Sequence, residues 1–577
     1  MSVSREMERG LQTSAAAGQR HVRLPIPGVV YPPQAALDQY LRDDCLTLET
    51  LAEGFRAAAR AFPANIALKG PGLNMTYAEL DALSSRLGAA LINLGLKPLD
   101  RVVFQLNDSA ELVIGWLACL KASLVPICTL AAHREHEIGY LAELAQAKVH
   151  FIQGDNPKFD DVSFARKMRD TVPSLSIILK ARGKAEDGTE LLSALIDSIS
   201  QDDAERVLGA IDIDPFQVAV FQLSGGTTGI PKIIPRFNNE YLYNMRASAE
   251  WFAYGPDDVL FMPQPMVHNL NMSCCFGPML LSGGTVTIAP DLRAETLIDL
   301  IKTTSPTWLM LGGPIVARID TAIRSGEIDL SNAKGVLSPN SAEKLRAMLG
   351  VPVYHAFGIT EGCIMFTRPG DPAETLNTTH GRPVSVWDEV KILRPGTEEE
   401  VPLGEVGTPA FKGPYTIHGY FNAPERNLET FTSDGYYLSG DLIKAVEIDG
   451  VRNFVYSGRL KDIVSRAGEK INCQEVEMAV IDHPSVAAVV AVPYPDPVYE
   501  ERLCVYLILR GGQKAPTVRE LGAFLEAFGM AKYKWPERIE TVSEFPLTAS
   551  GKLSRPELKA MIARKVAAES PQAAAAQ

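Results

Sequence analysis

The sequence predicts an α/β protein with a large N-terminal domain and a small C-terminal domain. Strand and helix patterns alternate over roughly the first 385 residues, which is typical of parallel-type sheets covered by helices. Short alternating runs follow and indicate a small β-rich subdomain. An α+β pattern then begins near residue 471 and is about the size of a separate small domain. A chain of 577 residues is also too long for one hydrophobic core.

The first half of the chain supplies most of the predicted α/β elements. Apolar residues at helical spacing predict helices over 48–60 and 76–95, the second with a capping box of Thr76 and Glu79. RVVFQL (101–106) predicts a strand, ELVIGWLACLKAS a buried helix and LVPICTL the next strand. The same alternation continues through VHFIQG, LSIILK, VAVFQL, VLFMPQP, TVTIAP, TWLMLGG and VPVYHAFG.

The remaining elements set the domain boundary. EVKILRPG, GEVGTPAFKG and NFVYSGR predict the β-rich subdomain, and VEMAVIDHP, AAVVAVPYP, LCVYLILR, LGAFLEAFG and ERIETVSEFP predict the C-terminal α+β domain. We place the boundary in GRLKDIV, which gives a core domain of residues 1–460 and a small domain of residues 461–577.

Composition excludes several classes of function. The net charge of −13 argues against a general binder of nucleic acids or anionic membranes. Eight scattered cysteines show no zinc-site spacing, so reduced thiols and a cytoplasmic location are expected. The polar N-terminus lacks a signal core, and no apolar run approaches the length of a membrane span.

The stretch LSGGTTGIPK (223–232) is the strongest local signal. It follows the predicted strand VAVFQL and precedes the predicted helix NNEYLYNMRASAEWF, and glycines with hydroxyl groups in such a loop suit a phosphate. Its spacing differs from the G-x-x-x-x-G-K-[ST] of a P-loop, which argues against a P-loop kinase or ATPase.

Five ordered motifs identify the chain as a member of the adenylate-forming (ANL) superfamily, which includes acyl-CoA synthetases, peptide-synthetase adenylation domains and luciferases. The resemblance spans essentially the whole chain, through SGGTTGIPK, FGITEG (357–362), YYLSGDL (436–442), YSGRLKDIVSRAGEKI (456–471) and PLTASGKLSR (546–555). It implies the ANL fold with a mobile C-terminal lid. It also implies attack of a carboxylate on the α-phosphate of ATP, with Mg²⁺ bound, followed by thioester formation.

The resemblance assigns roles to individual residues. The phosphates of ATP would be bound by Ser224, Gly225, Gly226, Thr227, Thr228, Gly229 and Lys232. Thr360 would contact the α-phosphate, Glu361 the Mg²⁺ ion and Phe357 the adenine, while Asp441 and Arg459 would hold the ribose. Lys552 would bridge the carboxylate and the α-phosphate, Lys461 would be the hinge, and Gly468 would face the thiol. Without such roles, Glu361 and Arg459 would be solvent-exposed charges and Asp441 would be an ordinary turn residue.

Within the superfamily, HREHEI (133–138), PMVHN (265–269) and KGPYTIHGYF (412–421) resemble the stand-alone aryl-acid ligases, which activate 2,3-dihydroxybenzoate or salicylate. The resemblance places His268 among the catalytic and acid-binding residues and Asn269 on the ortho-hydroxyl group. Cys274 stands where the dihydroxybenzoate enzymes have serine, which favours salicylate, and Leu270 replaces a tyrosine or phenylalanine, which leaves a substituted salicylate open. The alternative for His268, Asn269 and Cys274 is core packing.

A further departure concerns the adenine side. The family has a G-G-A-type loop before its F-G-x-T-E motif, whereas this chain reads KGVLSPNSAEKL, so we expect Ser338, Pro339 and Asn340 to form part of the adenine wall. These departures favour coenzyme A as the acceptor thiol. The phosphopantetheine of a separate aryl carrier protein remains the alternative, with 2,3-dihydroxybenzoate as substrate, and a non-catalytic ligand-binding relative is the alternative of a different class.

Overall fold

The computed structural model of the protein describes residues 22–224, 231–339, 342–466, 469–496, 499–528, 530–548 and 552–569. The chain divides into two compact units. The first contains the described residues up to Ser224, residues 231–390 and residues 411–437, and the second contains residues 391–410 and 438–569. Each unit is described by itself.

The strands of the first unit are β1 (Ile66–Gly70), β2 (Leu73–Thr76), β3 (Arg101–Gln105), β4 (Val125–Ile127), β5 (Val149–Ile152), β6 (Ile177–Lys180), β7 (Glu190–Leu191), β8 (Val218–Leu223), β9 (Ile233–Phe237), β10 (Val259–Phe261), β11 (Thr285–Thr287), β12 (Trp308–Met310), β13 (Gly335–Ser338), β14 (Val353–Gly358), β15 (Ile364–Phe366) and β16 (Arg382–Pro383). Among the described residues they form two sheets.

The two sheets differ in strand order but share a parallel centre. The seven-stranded sheet runs β7-β6-β5-β3-β4-β8-β9, with all neighbours parallel except the antiparallel pair β8 and β9. The nine-stranded sheet runs β16-β15-β14-β13-β12-β10-β11-β1-β2 and has antiparallel pairs at both ends. The central strands are buried along their length, as expected where helices cover both faces of a parallel sheet.

The helices of the first unit are α1 (Gln34–Arg42), α2 (Leu51–Ala61), α3 (Tyr77–Asn93), α4 (Ala110–Lys121), α5 (Glu135–Leu144), α6 (Asp161–Thr171), α7 (Leu192–Asp197), α8 (Gln201–Gly209), α9 (Asn238–Phe252), α10 (Asn269–Asn271), α11 (Gly277–Leu281), α12 (Ala294–Thr304), α13 (Gly313–Arg324), α14 (Ala342–Leu349), α15 (Ala373–Thr378) and α16 (Pro424–Leu428). The capping box predicted at Thr76 and Glu79 opens α3, so that prediction is confirmed.

One predicted connection is wrong. The glycine-rich stretch does not join a strand directly to a helix, because β9 lies between it and α9. Since β8 and β9 are antiparallel neighbours, the stretch joins the two strands of a hairpin. The sequence argues against a strand at this point because Pro235 has no N–H group to donate to a neighbouring strand. A proline is tolerated there because β9 is the terminal strand of its sheet.

The second unit contains the β-rich subdomain and the α+β segment. Its strands are β17 (Glu389–Leu393), β18 (Val406–Lys412), β19 (Tyr437–Leu438), β20 (Asp441–Ile448), β21 (Val451–Arg459), β22 (Ile463–Arg466), β23 (Glu469–Asn472), β24 (Val486–Asp496), β25 (Glu500–Leu509) and β26 (Arg538–Thr541), and the chain passes between the units within β17, β18 and β19. Its helices are α17 (Cys473–Val480), α18 (Val518–Ala527) and α19 (Arg555–Glu569).

In the described part of this unit, one sheet has the order β17-β18-β20-β21 with β19 on β18, and the other has the order β23-β22-β25-β24 with β26 on β25. The predicted fold class is therefore confirmed, with parallel α/β sheets, a small β-rich part and a C-terminal α+β part. The boundary at residue 461 stays a prediction. Over the described residues, no helix combines the length and the apolar character that a membrane crossing requires.

Candidate active site

Tyr420, at the end of KGPYTIHGYF, connects the glycine-rich hairpin with the FGITEG motif. Its hydroxyl group donates a 2.7 Å hydrogen bond to Oε1 of Glu361 and lies 3.0 Å from the hydroxyl oxygen of Tyr437. The Lys232 ammonium group stands 5.0 Å from the centre of the Tyr420 ring, within the range of a cation–π contact. One aromatic side chain thus positions a cation and a carboxylate that the sequence assigned to ATP and Mg²⁺.

The base of the hairpin is held by a reciprocal pair of hydrogen bonds. The main-chain N–H of Ser224 donates to the carbonyl oxygen of Lys232 at 2.9 Å, and the N–H of Lys232 donates to the Ser224 hydroxyl oxygen at 3.0 Å. Ser224 is therefore buried at the root of the loop. The other predicted phosphate-binding residues of the hairpin lie outside the described residues and are Gly225, Gly226, Thr227, Thr228 and Gly229.

The turn that carries Thr360 and Glu361 follows β14 and packs closely on the KGPYTIHGYF segment. The N–H of Ile417 donates to the Glu361 carbonyl oxygen at 2.8 Å. A Cβ atom added to Gly362 would lie 2.8 Å from the Thr416 hydroxyl oxygen, so this position requires glycine. Phe357, at the end of β14, has its ring centre 6.5 Å from that of Phe411. The motif is thereby fixed on both sides.

The predicted acid-binding residues lie on and just before one irregular helix. His268 precedes α10, which contains Asn269 and Leu270, and a π-helix (Met272–Phe276) then joins α10 to α11. π-Helical turns are rare and are frequently found at functional sites. A Cβ atom added to Gly358 would lie 3.6 Å from Cδ1 of Leu270. Leu270 of α10 therefore packs close to the end of β14, where the FGITEG motif begins.

Cys274 lies in the π-helical turn and has no exposed surface. Its sulfur is 3.5 Å from the Ser273 hydroxyl oxygen, and its carbonyl oxygen accepts a hydrogen bond from Tyr254 at 3.4 Å. Burial raises the pKa of the Cys274 thiol to about 11. The thiol is therefore neutral near pH 7, which argues against a role as a nucleophile.

Asn269 belongs to a buried polar network that extends from β9 and α9. Nη1 of Arg236 donates to Oδ1 of Asn269 and to the carbonyl oxygen of Thr360, in both cases at 3.2 Å. The other side of the guanidinium group forms a two-point ion pair with Glu240, at 3.0 and 2.9 Å. The Tyr241 hydroxyl group donates to the same Oδ1 of Asn269 at 2.9 Å.

The segment predicted to form part of the adenine wall follows the end of β13 in the first unit. Ser338 ends β13, is fully buried and pairs in register with His355 of β14. Nε2 of His355 accepts a 2.9 Å hydrogen bond from the N–H of Ala342, where α14 begins, and Nδ1 lies 2.9 Å from the Thr379 carbonyl oxygen. Pro339 is exposed, and Asn340 lies outside the described residues. The predicted role of Ser338, Pro339 and Asn340 in the adenine wall stays a prediction.

In the second unit, the two predicted ribose-binding residues are neighbours across a strand pair. Asp441 and Arg459 stand opposite each other on β20 and β21, with Nε of Arg459 3.4 Å from Oδ1 of Asp441. The Ser439 hydroxyl group donates to Oδ2 of Asp441 at 3.1 Å. These contacts orient a buried carboxylate. The ribose-binding role of Asp441 and Arg459 stays a prediction.

Lys552 is exposed and hydrogen-bonded to Thr548, four positions before it. The N–H of Thr548 donates to the Lys552 carbonyl oxygen, and the N–H of Lys552 donates to the Thr548 hydroxyl oxygen. Leu547 and Leu553 pair as an isolated β-bridge on either side. The main chain at Lys552 is therefore fixed by contacts to Thr548 and by the neighbouring bridge.

The helix that follows Lys552 is anchored to the predicted hinge. Arg555 forms a two-point ion pair with Glu477, at 2.6 and 2.7 Å, and its Nε lies 3.4 Å from Oδ2 of Asp462. Asp462 directly follows Lys461 in a short 3₁₀-helix, Leu460–Asp462. Gly468, predicted to face the thiol, lies outside the described residues. The roles of Lys461, Gly468 and Lys552 stay predictions.

Sequence reasoning missed the residues that hold the site together. Tyr420 lies in KGPYTIHGYF but has no predicted role, Glu240 and Tyr241 were predicted only as parts of a helix, and Arg236 lies in no predicted element. One signal was available, since an arginine inside the apolar run IIPRF requires a buried partner. The glutamate four positions later supplies it.

The arrangement of Glu361 fits a magnesium ion bound with ATP. Among the described residues, only the Tyr420 hydroxyl group donates to the Glu361 carboxylate, and that bond uses Oε1. Mg²⁺ in nucleotide sites is commonly bound by one or two carboxylates together with phosphate oxygens and water. Oε2 of Glu361 would be the protein ligand, and the ion would supply charge neutralisation at the phosphates.

Comparison with known proteins identifies the family of the chain. The family described as AMP-binding enzyme matches residues 55–421, and the family described as AMP-binding enzyme C-terminal domain matches residues 475–552. The chain is 33% identical over 544 residues to the 2,3-dihydroxybenzoate-AMP ligase of Bacillus subtilis, covering 93% of this chain and 98% of the relative.

Two further similarities cover nearly the whole length. A salicylyl-CoA synthase / salicylate adenylyltransferase of Streptomyces sp is 33% identical over 548 residues, covering 93% of this chain and 98% of the relative. The apo structure of MbtA from Mycobacterium smegmatis has a TM-score of 0.68 at 30% identity, with 93% of this chain and 98% of that chain covered. The expected superfamily is thereby confirmed, and the chain belongs to the AMP-binding enzymes of the adenylate-forming superfamily.

Proposed function

We propose that the protein uses ATP to convert a salicylate-like 2-hydroxybenzoate into an acyl adenylate and then into a thioester of coenzyme A. The observation that carries the proposal is the position of Arg236. A single nitrogen of its guanidinium group bonds both Asn269, the predicted partner of the aryl acid, and the carbonyl oxygen of Thr360, the predicted partner of the α-phosphate. The two reactants would therefore be held side by side, as an attack on phosphorus requires.

The first half-reaction joins two anions. A carboxylate oxygen of the acid forms a bond to the α-phosphorus, and the bond from that phosphorus to the pyrophosphate oxygen breaks. Lys232 would neutralise phosphate charge, and Lys552 would stabilise charge at the reacting carboxylate and α-phosphate. Glu361 would hold the metal ion, Phe357 the adenine, and Asp441 with Arg459 the ribose. In the second half-reaction a thiolate displaces AMP from the acyl carbon.

The nature of the acid follows from the neutral polar groups on the acid side. Asn269 is an amide, whereas recognition of an α-ammonium group calls for a carboxylate. Cys274 offers a weakly polar thiol where a serine would hydrogen-bond a 3-hydroxyl group. These features favour salicylate over 2,3-dihydroxybenzoate and over amino acids, and Leu270 leaves room for a ring substituent.

Replacing the thiol tests the role of Cys274. We expect Cys274→Ser to raise kcat/KM for 2,3-dihydroxybenzoate relative to salicylate by about 10-fold, because a hydroxyl group adds one hydrogen bond to the 3-hydroxyl. Pyrophosphate release with each acid measures the ratio. Cys275→Ser is the matched control, since Cys275 is the neighbouring buried thiol. An unchanged ratio in Cys274→Ser, or an equal change in the control, would remove Cys274 from acid selection.

The acceptor thiol is the second part of the proposal. The phosphopantetheine of a separate aryl carrier protein is the alternative acceptor. The relatives include one protein named as an AMP ligase and one named as a CoA synthase. For either acceptor we propose that residues 461–577 move about Lys461 between the half-reactions and that Gly468 then faces the thiol. Hinges of this kind are a few residues that absorb large dihedral changes.

The experiment is pyrophosphate release across a panel of substituted benzoates, followed by mass spectrometry of the product after addition of coenzyme A. We expect release with salicylate and a salicylyl-CoA product. Release without any CoA ester would reject coenzyme A as the acceptor. Release only with amino acids or aliphatic acids would reject an aryl acid as the substrate.

A further inference from the structure

The polar network around Asn269 has a fixed direction. A guanidinium group can only donate hydrogen bonds, so the Asn269 atom that faces Nη1 of Arg236 is the carbonyl oxygen. Nε2 of Gln222 donates to the Tyr241 hydroxyl oxygen at 3.3 Å, and the Tyr241 proton is directed at the same Asn269 oxygen. Two donors converge on Oδ1, and the amide cannot turn over without losing both.

The network is also rigid. Arg236 and Tyr241 have no exposed surface, and Asn269 is 5% exposed. The Arg236 guanidinium group lies 4.5 Å from the centre of the Tyr241 ring, which adds a cation–π contact. Glu240 neutralises the arginine through two hydrogen bonds and also accepts from the N–H of Phe237 at 2.8 Å. A buried pair with this geometry fixes the orientation of its neighbours.

We propose that Arg236 and Tyr241 are positioning residues that turn Asn269 into an obligate hydrogen-bond donor toward the aryl acid. Among the described residues, Nδ2 of Asn269 has no acceptor, so both of its N–H groups are available. They complement an oxygen at the ortho position of the ring, either a phenol or a phenolate. An ortho-amine is a donor and a poor acceptor, so the network selects salicylates against anthranilates. This inference rests on the proposed aryl-acid substrate.

The same arginine couples the acid to the nucleotide. Nη1 of Arg236 donates both to the Thr360 carbonyl oxygen and to Oδ1 of Asn269. A shift of either oxygen would therefore move the guanidinium group and disturb its hydrogen bond to the other oxygen. Loss of this bond is expected to raise KM for both ATP and the acid. A residue with a merely structural role would not change the preference between two acids of nearly equal size.

The test compares salicylate and anthranilate by acid-dependent pyrophosphate release. In the unmodified protein kcat/KM for salicylate should exceed that for anthranilate by about 100-fold or more. The reason is that the ortho-amine of anthranilate and the Asn269 amide are both donors, and neither would find an acceptor in the buried site. In Tyr241→Phe and in Arg236→Lys the preference should fall by about 10-fold, since each removes one donor from Oδ1 of Asn269. Tyr243→Phe is the matched control, because Tyr243 lies on the same helix and its hydroxyl group pairs with Ser385 instead.

Asn269→Asp tests the direction of the network. Arg236 and Tyr241 would bind one carboxylate oxygen, and the other would face the ring as an acceptor, so the preference should shift toward anthranilate by at least 10-fold. Equal loss of kcat/KM for both acids in Tyr241→Phe, with Asn269→Asp still preferring salicylate, would overturn the proposal. If Arg236→Lys does not fold, the results for Tyr241→Phe and Asn269→Asp are sufficient to test the proposal.

Failure of this inference and failure of the proposed function give different results. If the unmodified protein releases no pyrophosphate with any aryl acid, the proposed function is wrong. If it responds to salicylate while the variants keep the selectivity of the unmodified protein, only the role of Arg236 and Tyr241 is wrong.

Discussion

Lys552→Ala is expected to slow formation of the acyl adenylate by about 100- to 1,000-fold, the cost of removing one group aimed at developing charge in a transition state. The lysine is exposed, so its removal should leave the fold intact. Because the proposed contact strengthens as the bond to phosphorus forms, kcat should fall more than KM rises. Acid-dependent pyrophosphate release, with single-turnover detection of the adenylate, measures the effect.

A matched lysine separates this effect from a general loss of positive charge. Lys565 lies on α19 in the same unit and pairs with Glu540 at 2.6 Å. Its side chain is about half exposed, so Lys565→Ala should change stability and rate only slightly. A rate for Lys552→Ala equal to that of the unmodified protein would remove Lys552 from the reaction. Equal losses in both variants would indicate an effect on the unit as a whole.

Glu361→Gln is expected to lower adenylate formation by about 100-fold or more at saturating ATP. The amide keeps the size of the side chain and can still accept from Tyr420, but it lacks the negative charge that a divalent cation requires. The loss should be partly relieved at high Mg²⁺ concentration, because a weakened metal site is filled by mass action. Pyrophosphate release titrated with Mg²⁺ measures both effects.

Two companion variants make this result specific. Tyr420→Phe removes one hydrogen bond from Glu361 and should cost about 10-fold, less than loss of the charge itself. Glu374→Gln, on the exposed first turn of α15, should leave the rate unchanged. A magnesium dependence in Glu361→Gln that matches the unmodified protein would contradict the proposed role of Glu361 as a metal ligand.

Much of the fold could be predicted from local sequence patterns, because tertiary packing preserves the secondary structure that these patterns favour. The strand VAVFQL is buried and parallel to β4, as a continuous apolar run between turn signals predicts. The capping box at Thr76 formed because Thr–x–x–Glu satisfies two otherwise unpaired N–H groups at a helix start. These elements depend mainly on residues within a few positions of each other.

The features that escaped prediction depend on partners distant in the chain. β9 contains Pro235, and only its place at the edge of a sheet makes that residue compatible with a strand. The π-helical turn at Met272–Phe276 has no sequence signature that separates it from an α-helix. Arg236 contacts Asn269 and Thr360, which are 33 and 124 positions away, so no local pattern reveals the network.

The ordered motifs predicted roles for individual residues, whereas composition and periodicity predicted only the fold class. The FGITEG turn and the KGPYTIHGYF segment are separated by 49 intervening residues, yet Tyr420 brings them together at Glu361. The sequence assigned Glu361 a role but gave none to the tyrosine that orients it. A residue of this kind is recognised by its contacts in the structure. It contributes only a hydrogen bond and an aromatic face, and many tyrosines in a sequence can do the same.

The central claim is that ATP and an aryl carboxylate react in this protein to give an acyl adenylate and pyrophosphate. Exchange of labelled pyrophosphate into ATP measures that step alone, without any acceptor thiol. Exchange should require Mg²⁺, depend on added salicylate and be about 100- to 1,000-fold slower in Lys552→Ala. Absence of exchange with every aromatic acid offered, or equal exchange without any acid, would contradict it.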